Sequence, residues 1–301
     1  MKTKNITTVT CTRDRHHQLL ETMNYVEKID GLKVHIILDW GSKNQLILED
    51  TQKSKKQIYI APNENRWWLT RAYNASFFLV ETEYVLKLDA DVKFNYKKFN
   101  NLDYSNYDLI IFFDKPNDPG NFLIKKNLLK KINGFNEYMW EWGWSDHDLV
   151  NRAKINTKKN KVLEVYGFID KIPHDNSTRS IVSKSTIYKK KDLFYYSLIK
   201  SHNDVNAYLS KKQIWSNKNN LSYEVTDNLI NLKHFYSIKD LNLFLRASYK
   251  YKFLKQFFKI YKLNNRGQKY FLPIICFVLP NIILESISLQ LYPKKLKNDI
   301  F

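Results

Sequence analysis

The densest group of potentially reactive side chains lies in residues 133–152, NGFNEYMWEWGWSDHDLVNR. Ser145 followed by Asp148 three residues later matches a capping box, so we predict a helix that begins at Asp146. The dipole of such a helix stabilises an ionised carboxylate at its start, which suits a general base near neutral pH. Three tryptophans next to the acid offer flat faces on which a sugar ring can stack. They are Trp140, Trp142 and Trp144. The alternative is a capped helix with tryptophans in the core.

A second group of acids, Asp89 and Asp91, follows the apolar segment YVLKLDADV, residues 84–92. Two carboxylates one residue apart at the end of a strand can hold a divalent cation and a nucleotide ribose together. Mg²⁺ and Mn²⁺ prefer oxygen ligands and bridge to diphosphate oxygens. The alternative is a pair of turn-forming aspartates.

His174, in KIPHDNSTRS, is a candidate for completing that site. A neutral imidazole can ligate a metal held by Asp91. The alternative is a structural or solvent-exposed histidine.

Polar residues also follow two earlier segments that are predicted to be strands. Arg13 and Arg15 come after the first, where a guanidinium can bind a base or a phosphate by forked hydrogen bonds. Asp39, in LDWGS, can accept from a pyrimidine N–H. The alternatives are a solvated loop for the arginines and a strand-terminal turn at Gly41 for the aspartate.

The elements that would position these residues alternate between strand and helix. We predict strands at 5–12, 34–42, 58–62, 84–92 and 108–114, and helices at 19–29 and 69–81, with FLIKKNLLKKI leading into another helix. Such alternation predicts an α/β domain with an open, largely parallel sheet, here residues 1–185. Ligands of these sheets bind at the carboxyl ends of the strands, where the arginines and acids fall.

Residues 186–301 differ in character and are predicted to be mostly helical. They carry 20 Lys and Arg against 7 Asp and Glu, and contribute most of the net charge of +19. Within 246–297 there are 11 basic residues and one acid. The apolar run 271–284 is only 14 residues long and contains two prolines, which is short of the ~20 residues that span a bilayer. We expect an interfacial segment on an anionic membrane surface, the alternative being a core helix broken by proline.

Composition excludes several classes of protein. Two cysteines provide neither a disulfide framework nor a cysteine-based metal site, and fit a reducing cytosolic setting. The chain starts with MKTKNITTVTCT, and we expect no signal peptide. No signature of a nucleic-acid-binding module is present.

Taken in order, several motifs resemble those of a known family. They are TCTRDR, LDWGS, TRAYNAS, LKLDADV, NGFNEYMWEWGWSDHDLVNR and IPHDNSTR. The resemblance is to metal-dependent nucleotide-sugar glycosyltransferases with an Asp-x-Asp motif, of the bacterial family 2 type, and to the catalytic half of the β-1,4-galactosyltransferases. It covers roughly residues 5–180 and implies the GT-A fold, a mixed, mostly parallel sheet flanked by helices.

The resemblance also implies an inverting transfer from a UDP-sugar. Asp146 would be the catalytic base, Asp91 and His174 would ligate Mn²⁺ or Mg²⁺, and Asp89 would lie near the ribose or the metal. The nucleotide would be bound by Arg13, Arg15, Asp39 and Arg71. Trp142 would pack on the sugars.

The chain departs from the family's pattern on both sides of Asp146. Ser145 and His147 stand where the family often has acids that contact donor or acceptor hydroxyls. The bulky Trp144 narrows the space that a second glycine of the family's motif would leave. His147 and Trp144 are therefore candidate sugar- or acceptor-binding residues.

Two functions follow as hypotheses. The first is an inverting, metal-dependent glycosyltransferase that acts on a glycan or lipid-linked glycan acceptor, such as capsule or lipopolysaccharide, at the cytoplasmic face of the cell membrane. The second is a non-catalytic module that binds glycans or polyanions on a glycosyltransferase-like fold. The acids favour the enzyme, because a phosphate-binding module has no use for Asp89, Asp91 and Asp146 unless a metal intervenes.

Overall fold

The structure is a computed structural model. It describes residues 5–46, 55–62, 64, 67–116, 118–137, 139, 143–173, 206, 210, 215 and 223–232. The chain forms two compact units, one made of residues 1–191 with 213–235 and the other of 192–212 with 236–301. All the elements described below belong to the first unit.

A nine-stranded mixed sheet forms the centre of this unit. The strands, in chain order, are β1 (Ile6–Thr12), β2 (Leu32–Asp39), β3 (Lys56–Ile60), β4 (Tyr84–Lys87), β6 (Leu109–Phe113), β7 (Asn121–Lys125), β8 (Val162–Tyr166), β10 (Tyr223–Thr226) and β11 (Leu229–Leu232). Their order across the sheet is β10-β11-β3-β2-β1-β4-β7-β6-β8. A separate two-stranded sheet pairs β5 (Val92–Phe94) with β9 (Ile169–Lys171).

Most neighbouring strands in the large sheet are parallel, as the alternation of strands and helices predicts. The antiparallel pairs are β4 with β7, β6 with β7, and β10 with β11. The helices are α1 (His16–Val26), α2 (Leu69–Phe78), α3 (Tyr96–Asn100), α4 (Lys126–Lys131) and α5 (Ser145–Ile155). In α1 the buried residues Leu19, Met23 and Val26 recur at helical spacing, which gives the helix one apolar face for the sheet.

Strand β7 was not predicted. The segment FLIKKNLLKKI leads into helix α4 as expected, but its first part completes β7, and α4 begins only at Lys126. Phe122, Leu123 and Ile124 are buried on both faces of a central strand, and such a strand has no alternating pattern to reveal it.

The hairpin of β10 and β11 lies in the region that was predicted to be mostly helical. A two-residue turn, Asp227-Asn228, joins its strands, and Asp227 has a positive φ of 52°. Asp and Asn tolerate this backbone conformation, so a tight hairpin is favoured there.

Among the described residues, no helix has both the length and the apolar character needed to cross a membrane. The predicted interfacial region 246–297 lies outside the described residues.

Candidate active site

The carboxyl ends of three adjacent parallel strands bring the predicted acids and arginines to one edge of the sheet. β1 lies between β2 and β4, and all three run in the same direction. Arg13 and Arg15 follow β1, Asp39 ends β2, and Asp89 follows β4. The expected convergence at this edge is therefore present.

At the centre of this edge lies Lys87, the last residue of β4, whose side chain is 0% exposed. Its Nζ donates to Asp89 Oδ1 at 2.7 Å, to Asp146 Oδ1 at 3.2 Å and to the backbone oxygen of Gly120. Lys87 thus joins Asp89, the first acid after β4, to the candidate base on α5. Lys87 was not singled out in the sequence analysis, although a lysine inside an otherwise apolar strand, two residues before an acid, indicates a buried ion pair.

The environment shifts the pKa values of Asp146 and Asp89, the two acids that Lys87 bridges, in opposite directions. Burial raises the pKa of Asp146 above its ordinary value, which Lys87 partly opposes and Asp89 reinforces. Burial also acts to raise the pKa of Asp89, but Lys87 and Lys171 outweigh it, and the net shift is downward. Asp89 therefore keeps its charge more firmly, and Asp146 is the stronger base of the pair.

Asp91 lies on the other side of this cluster. Its Oδ2 is 3.2 Å from Arg15 Nη1, and its backbone oxygen accepts from the N–H of Ile172 at 2.8 Å. That hydrogen bond places the backbone two residues before His174 beside Asp91. His174 itself lies outside the described residues.

The described residues offer the type of donor atom that a hard divalent cation binds. Asp89 and Asp91 supply carboxylate oxygens at the edge of the sheet, and such oxygens are the ligands that Mg²⁺ and Mn²⁺ prefer. Within the described residues, no group of three or more His, Cys, Asp or Glu side chains forms a metal site. The predicted site, with His174 as a further ligand, stays a prediction.

Asp39 is fully buried and is bonded to its own loop. Its Oδ1 accepts from Ser42 N at 3.1 Å, its Oδ2 accepts from Leu46 N at 2.8 Å, and His16 Nε2 lies 3.6 Å from Oδ2. Gly41 makes this turn possible, since its φ is +61° and a Cβ would collide with the backbone of Glu64. The structure has the strand-terminal turn that was the alternative for Asp39, and its role toward a pyrimidine stays a prediction.

Two of the arginines predicted to bind the nucleotide, Arg13 and Arg71, meet at Glu64. Arg13 Nη1 donates to the backbone oxygen of Glu64 at 3.1 Å, and Arg71 Nη1 lies 3.9 Å from its carboxylate. Arg71 also stacks over the ring of Trp68, with 5.2 Å from Cζ to the ring centroid. Both guanidinium groups are largely buried, so their orientation is set by the protein.

The start of α5 corrects the capping-box prediction. The helix begins at Ser145 and not at Asp146, and the residue before it, Trp144, provides no side-chain cap. Asp148 does not close a box, because its carboxylate accepts from Arg152 Nε at 2.8 Å and pairs with Nη2 at 2.6 Å. Asp148 is almost fully buried one turn before Arg152, where a charged partner is worth more than a backbone N–H. Asp146 still lies in the first turn, where the helix dipole stabilises its ionised form.

Trp144 adopts a left-handed backbone conformation with φ 64°, and its ring centroid is 5.1 Å from that of His147. Two of the three predicted sugar-binding side chains, Trp144 and His147, therefore lie beside Asp146 on the same turn. Trp140 and Trp142 lie outside the described residues.

Helix α2 holds the segment that leads to this turn, a role that sequence reasoning did not assign. Asn74 Nδ2 donates to Phe135 O and to Glu137 Oε1, each at 2.9 Å, and its Oδ1 accepts from Phe135 N at 2.7 Å. Gly134 has a φ of +60°, and a Cβ there would lie 2.3 Å from Asn74 Oδ1. The glycine of the Gly-Phe turn is therefore required by its backbone and by its close approach to Asn74.

Part of the sequence and the fold are similar to those of known proteins. A family model described as the N-terminal domain of galactosyltransferase matches residues 118–175. No curated protein matches the sequence.

Two solved structures are similar in fold. The catalytic domain of Drosophila beta1,4galactosyltransferase 7, in complex with xylobiose, is 14% identical with a TM-score of 0.51, over 79% of this chain and 97% of that chain. TarS 1-349 of S. aureus, in complex with UDP-GlcNAc, is 12% identical with a TM-score of 0.50, over 91% of this chain and 80% of that chain. The protein therefore has the GT-A fold of nucleotide-sugar glycosyltransferases.

Proposed function

We propose that the protein is an inverting glycosyltransferase that moves a sugar from a UDP-sugar to a hydroxyl of a glycan or lipid-linked glycan acceptor. The observation that carries the proposal is the position of Asp146. It lies at the start of α5, joined through Lys87 to Asp89, the first acid that follows β4. The similar structures support this choice of donor and acceptor, since one contains UDP-GlcNAc and the other contains xylobiose.

Asp146 is suited to be the base because it is only partly exposed and its pKa is raised. Its Oδ1 is bonded to Lys87, so Oδ2 is the oxygen that would take the proton of the acceptor hydroxyl. The hydroxyl oxygen would then form a bond to the anomeric carbon from the face opposite the diphosphate. The bond between that carbon and the diphosphate oxygen breaks, and UDP leaves with the electron pair.

The leaving diphosphate would meet cationic side chains at the same edge. Arg15 lies against Asp91, and Lys171 Nζ is 3.7 Å from Asp89 Oδ2. Preorganised charges of this kind stabilise a developing anion in a site from which water is excluded. A divalent cation held by Asp91 and His174 would neutralise part of the diphosphate charge.

The tryptophans would bind the sugars. Trp144 is 36% exposed next to Asp146, and an aromatic face there can stack on the C–H groups of a ring. Trp142 is proposed to act in the same way. His147, whose ring lies near that of Trp144, would contact donor or acceptor hydroxyls.

The function is tested by UDP release from a panel of UDP-galactose, UDP-glucose, UDP-N-acetylglucosamine and UDP-N-acetylgalactosamine, with Mn²⁺, with Mg²⁺ and with excess EDTA. We expect release from at least one donor, and expect that Asp91→Ala abolishes it while the protein stays folded. Asp103→Ala, which removes an exposed loop carboxylate, serves as the control.

Each result has a distinct meaning. No release from any donor, together with binding of glycan or polyanion, would favour the non-catalytic module. Undiminished release in EDTA, or by Asp91→Ala, would show that the metal assignment is wrong.

A further inference from the structure

The Lys87 ammonium is held on every side by described residues. An ammonium has three N–H donors, and three oxygens receive them, from Asp89, Asp146 and the Gly120 backbone. The ring of Tyr73 lies beneath, with its centroid 4.5 Å from Nζ. Such a buried cation is costly, and it is compensated only because its acceptors are in place.

Rigid elements fix the position of this ammonium. Asp89 N donates to Asn121 Oδ1 at 2.9 Å, at the start of β7, and Tyr73 on α2 donates to Leu88 O at 2.9 Å. Gly120 lies so near that a Cβ would be 3.2 Å from Asp89 Oδ2. The end of β4 is therefore held from two sides, and Lys87 has little freedom to move.

Asp146 is held less firmly. Its side chain is 24% exposed, and in the described part of the chain Lys87 is its one ion-pair partner. Without Lys87 the carboxylate would lose this contact, and Asp146 and Asp89 would no longer share a cation. The orientation of the candidate base thus depends on a residue of another element.

We propose that Lys87 is a positioning residue that fixes the rotamer of Asp146 by holding Oδ1, so that Oδ2 faces the acceptor hydroxyl. This proposal rests on the proposed function, in which Asp146 is the base. Lys87 touches neither substrate in this scheme and acts through Asp146. Because it also bonds to Asp89, it ties the base to the donor side of the site.

The test uses the full chain and the donor that the wild type hydrolyses fastest, with water in the place of the acceptor. Lys87→Met keeps the length of the side chain and removes its charge and its N–H donors. Misplacement of a reacting group by about 1 Å costs roughly 10²-fold, so we expect kcat to fall about 10- to 100-fold. The KM for the donor and the affinity for UDP with Mn²⁺, measured by calorimetry, should change little. Lys93→Met is the matched control and should keep wild-type kcat, since the Lys93 side chain is 40% exposed and pairs with Glu21.

A double mutant separates positioning from direct action. If Lys87 acts through Asp146, adding Lys87→Met to Asp146→Asn should cause no further loss of kcat. A full additional loss in the double mutant, or a large fall in UDP affinity in Lys87→Met, would show that Lys87 serves the donor, and would overturn the proposal.

Folding is checked by circular dichroism and thermal melting. If Lys87→Met does not fold, Lys87→Gln replaces it, since an amide can still donate to two of the three oxygens. We then expect a reduced kcat for Lys87→Gln and again no additional loss in the Asp146→Asn background. Wild-type kcat in Lys87→Gln overturns the proposal. Failure of both variants to fold also overturns it, because Lys87 would then be needed for folding and not for positioning the base.

The proposed function and the proposed role of Lys87 can be contradicted by different results. If the wild type releases UDP from no donor, that function is wrong and this proposal falls with it. If the wild type turns over, Asp146→Asn is inactive and Lys87→Met matches the wild type, only the role of Lys87 is wrong.

Discussion

Two aspartates on the first turn of α5, Asp146 and Asp148, have opposite surroundings although they are two residues apart. Asp146 is partly exposed and faces Lys87, while Asp148 is 1% exposed and paired with Arg152. The first arrangement leaves a carboxylate oxygen for substrate, and the second uses the carboxylate to hold the helix. The two should therefore respond differently to the same substitution.

We predict that Asp146→Asn lowers kcat by about 10²–10⁴-fold, because the amide keeps the shape and loses the basicity. The affinity for UDP and the melting temperature should change little. The measurements are initial rates of UDP release, calorimetry with UDP and thermal melting. An Asp146→Asn variant with near wild-type turnover would show that the base lies elsewhere.

Asp148→Asn should instead lower the free energy of unfolding. Loss of one partner leaves Arg152 buried without its counter-ion, which costs about 3–5 kcal/mol. Urea denaturation measures the change. If Asp148→Asn instead loses most of its kcat while its free energy of unfolding is unchanged, Asp148 and not Asp146 is the base.

The raised pKa of Asp146 also predicts the effect of pH. A base works when it is deprotonated, so kcat should fall as the pH drops through the pKa of Asp146. Since burial raises that pKa, the fall should begin at a higher pH than for an ordinary aspartate. A profile of kcat against pH measures it, and the residual activity of Asp146→Asn should lack this acidic limb.

The elements differ in how well the sequence predicts them. Strands with apolar runs that end in polar residues, such as β1 and β4, were predicted with boundaries that differ by a few residues at most, apart from the separation of β5 from β4. β7, β8, β9 and the β10-β11 hairpin were missed, because β7 is apolar on both faces and the others are short. Convergence of the acids at the sheet edge followed from topology alone. The contacts of Lys87 with Asp146 and of Asn74 with Glu137 could not be predicted, since they join residues that are 59 and 63 positions apart.

Helix α2 provides a prediction at the scale of elements. Asn74→Ala removes three hydrogen bonds to residues 135–137, which precede the start of α5, and leaves buried polar groups of Phe135 and Glu137 without this partner. We expect a loss of about 2–4 kcal/mol in the free energy of unfolding, measured with urea. Asn106→Ala, which removes one exposed hydrogen bond to Asp103, should cost no more than about 0.5 kcal/mol.

UDP release should also fall in Asn74→Ala at temperatures where it is folded, because Phe135 and Glu137, which precede α5 and Asp146, would lose their support. Equal stability of the two alanine variants would contradict a supporting role for α2. Normal turnover in a destabilised Asn74→Ala would restrict that role to the fold.

For the whole molecule, charge distribution suggests where the protein works. We propose that residues 246–297, with 11 basic residues and one acid, hold it on the inner face of the cell membrane, near lipid-linked acceptors. Cations near anionic lipid contribute about 1 kcal/mol each, and a buried apolar face adds to this.

The prediction is that the full chain pellets with anionic vesicles, and less at high salt, whereas a truncation that ends near residue 240 stays in the supernatant and still binds UDP. Co-sedimentation with vesicles of anionic and of zwitterionic lipid measures both. Equal sedimentation of the two proteins would show that the basic region serves another partner or packs on the catalytic unit.

The β10-β11 hairpin has a consequence for the order of synthesis. Among the described residues, its parallel pairing with the sheet is Leu229 opposite Ile60, and it joins strands separated by roughly 170 residues. At about 5–20 residues per second, a ribosome needs on the order of ten to thirty seconds to make that stretch. During this time β3 is the outer strand of the growing sheet, and unpaired strand edges invite association with other chains. The hairpin therefore closes an edge that the nascent chain must leave open, and any shortened version of the protein needs to retain residues 223–232.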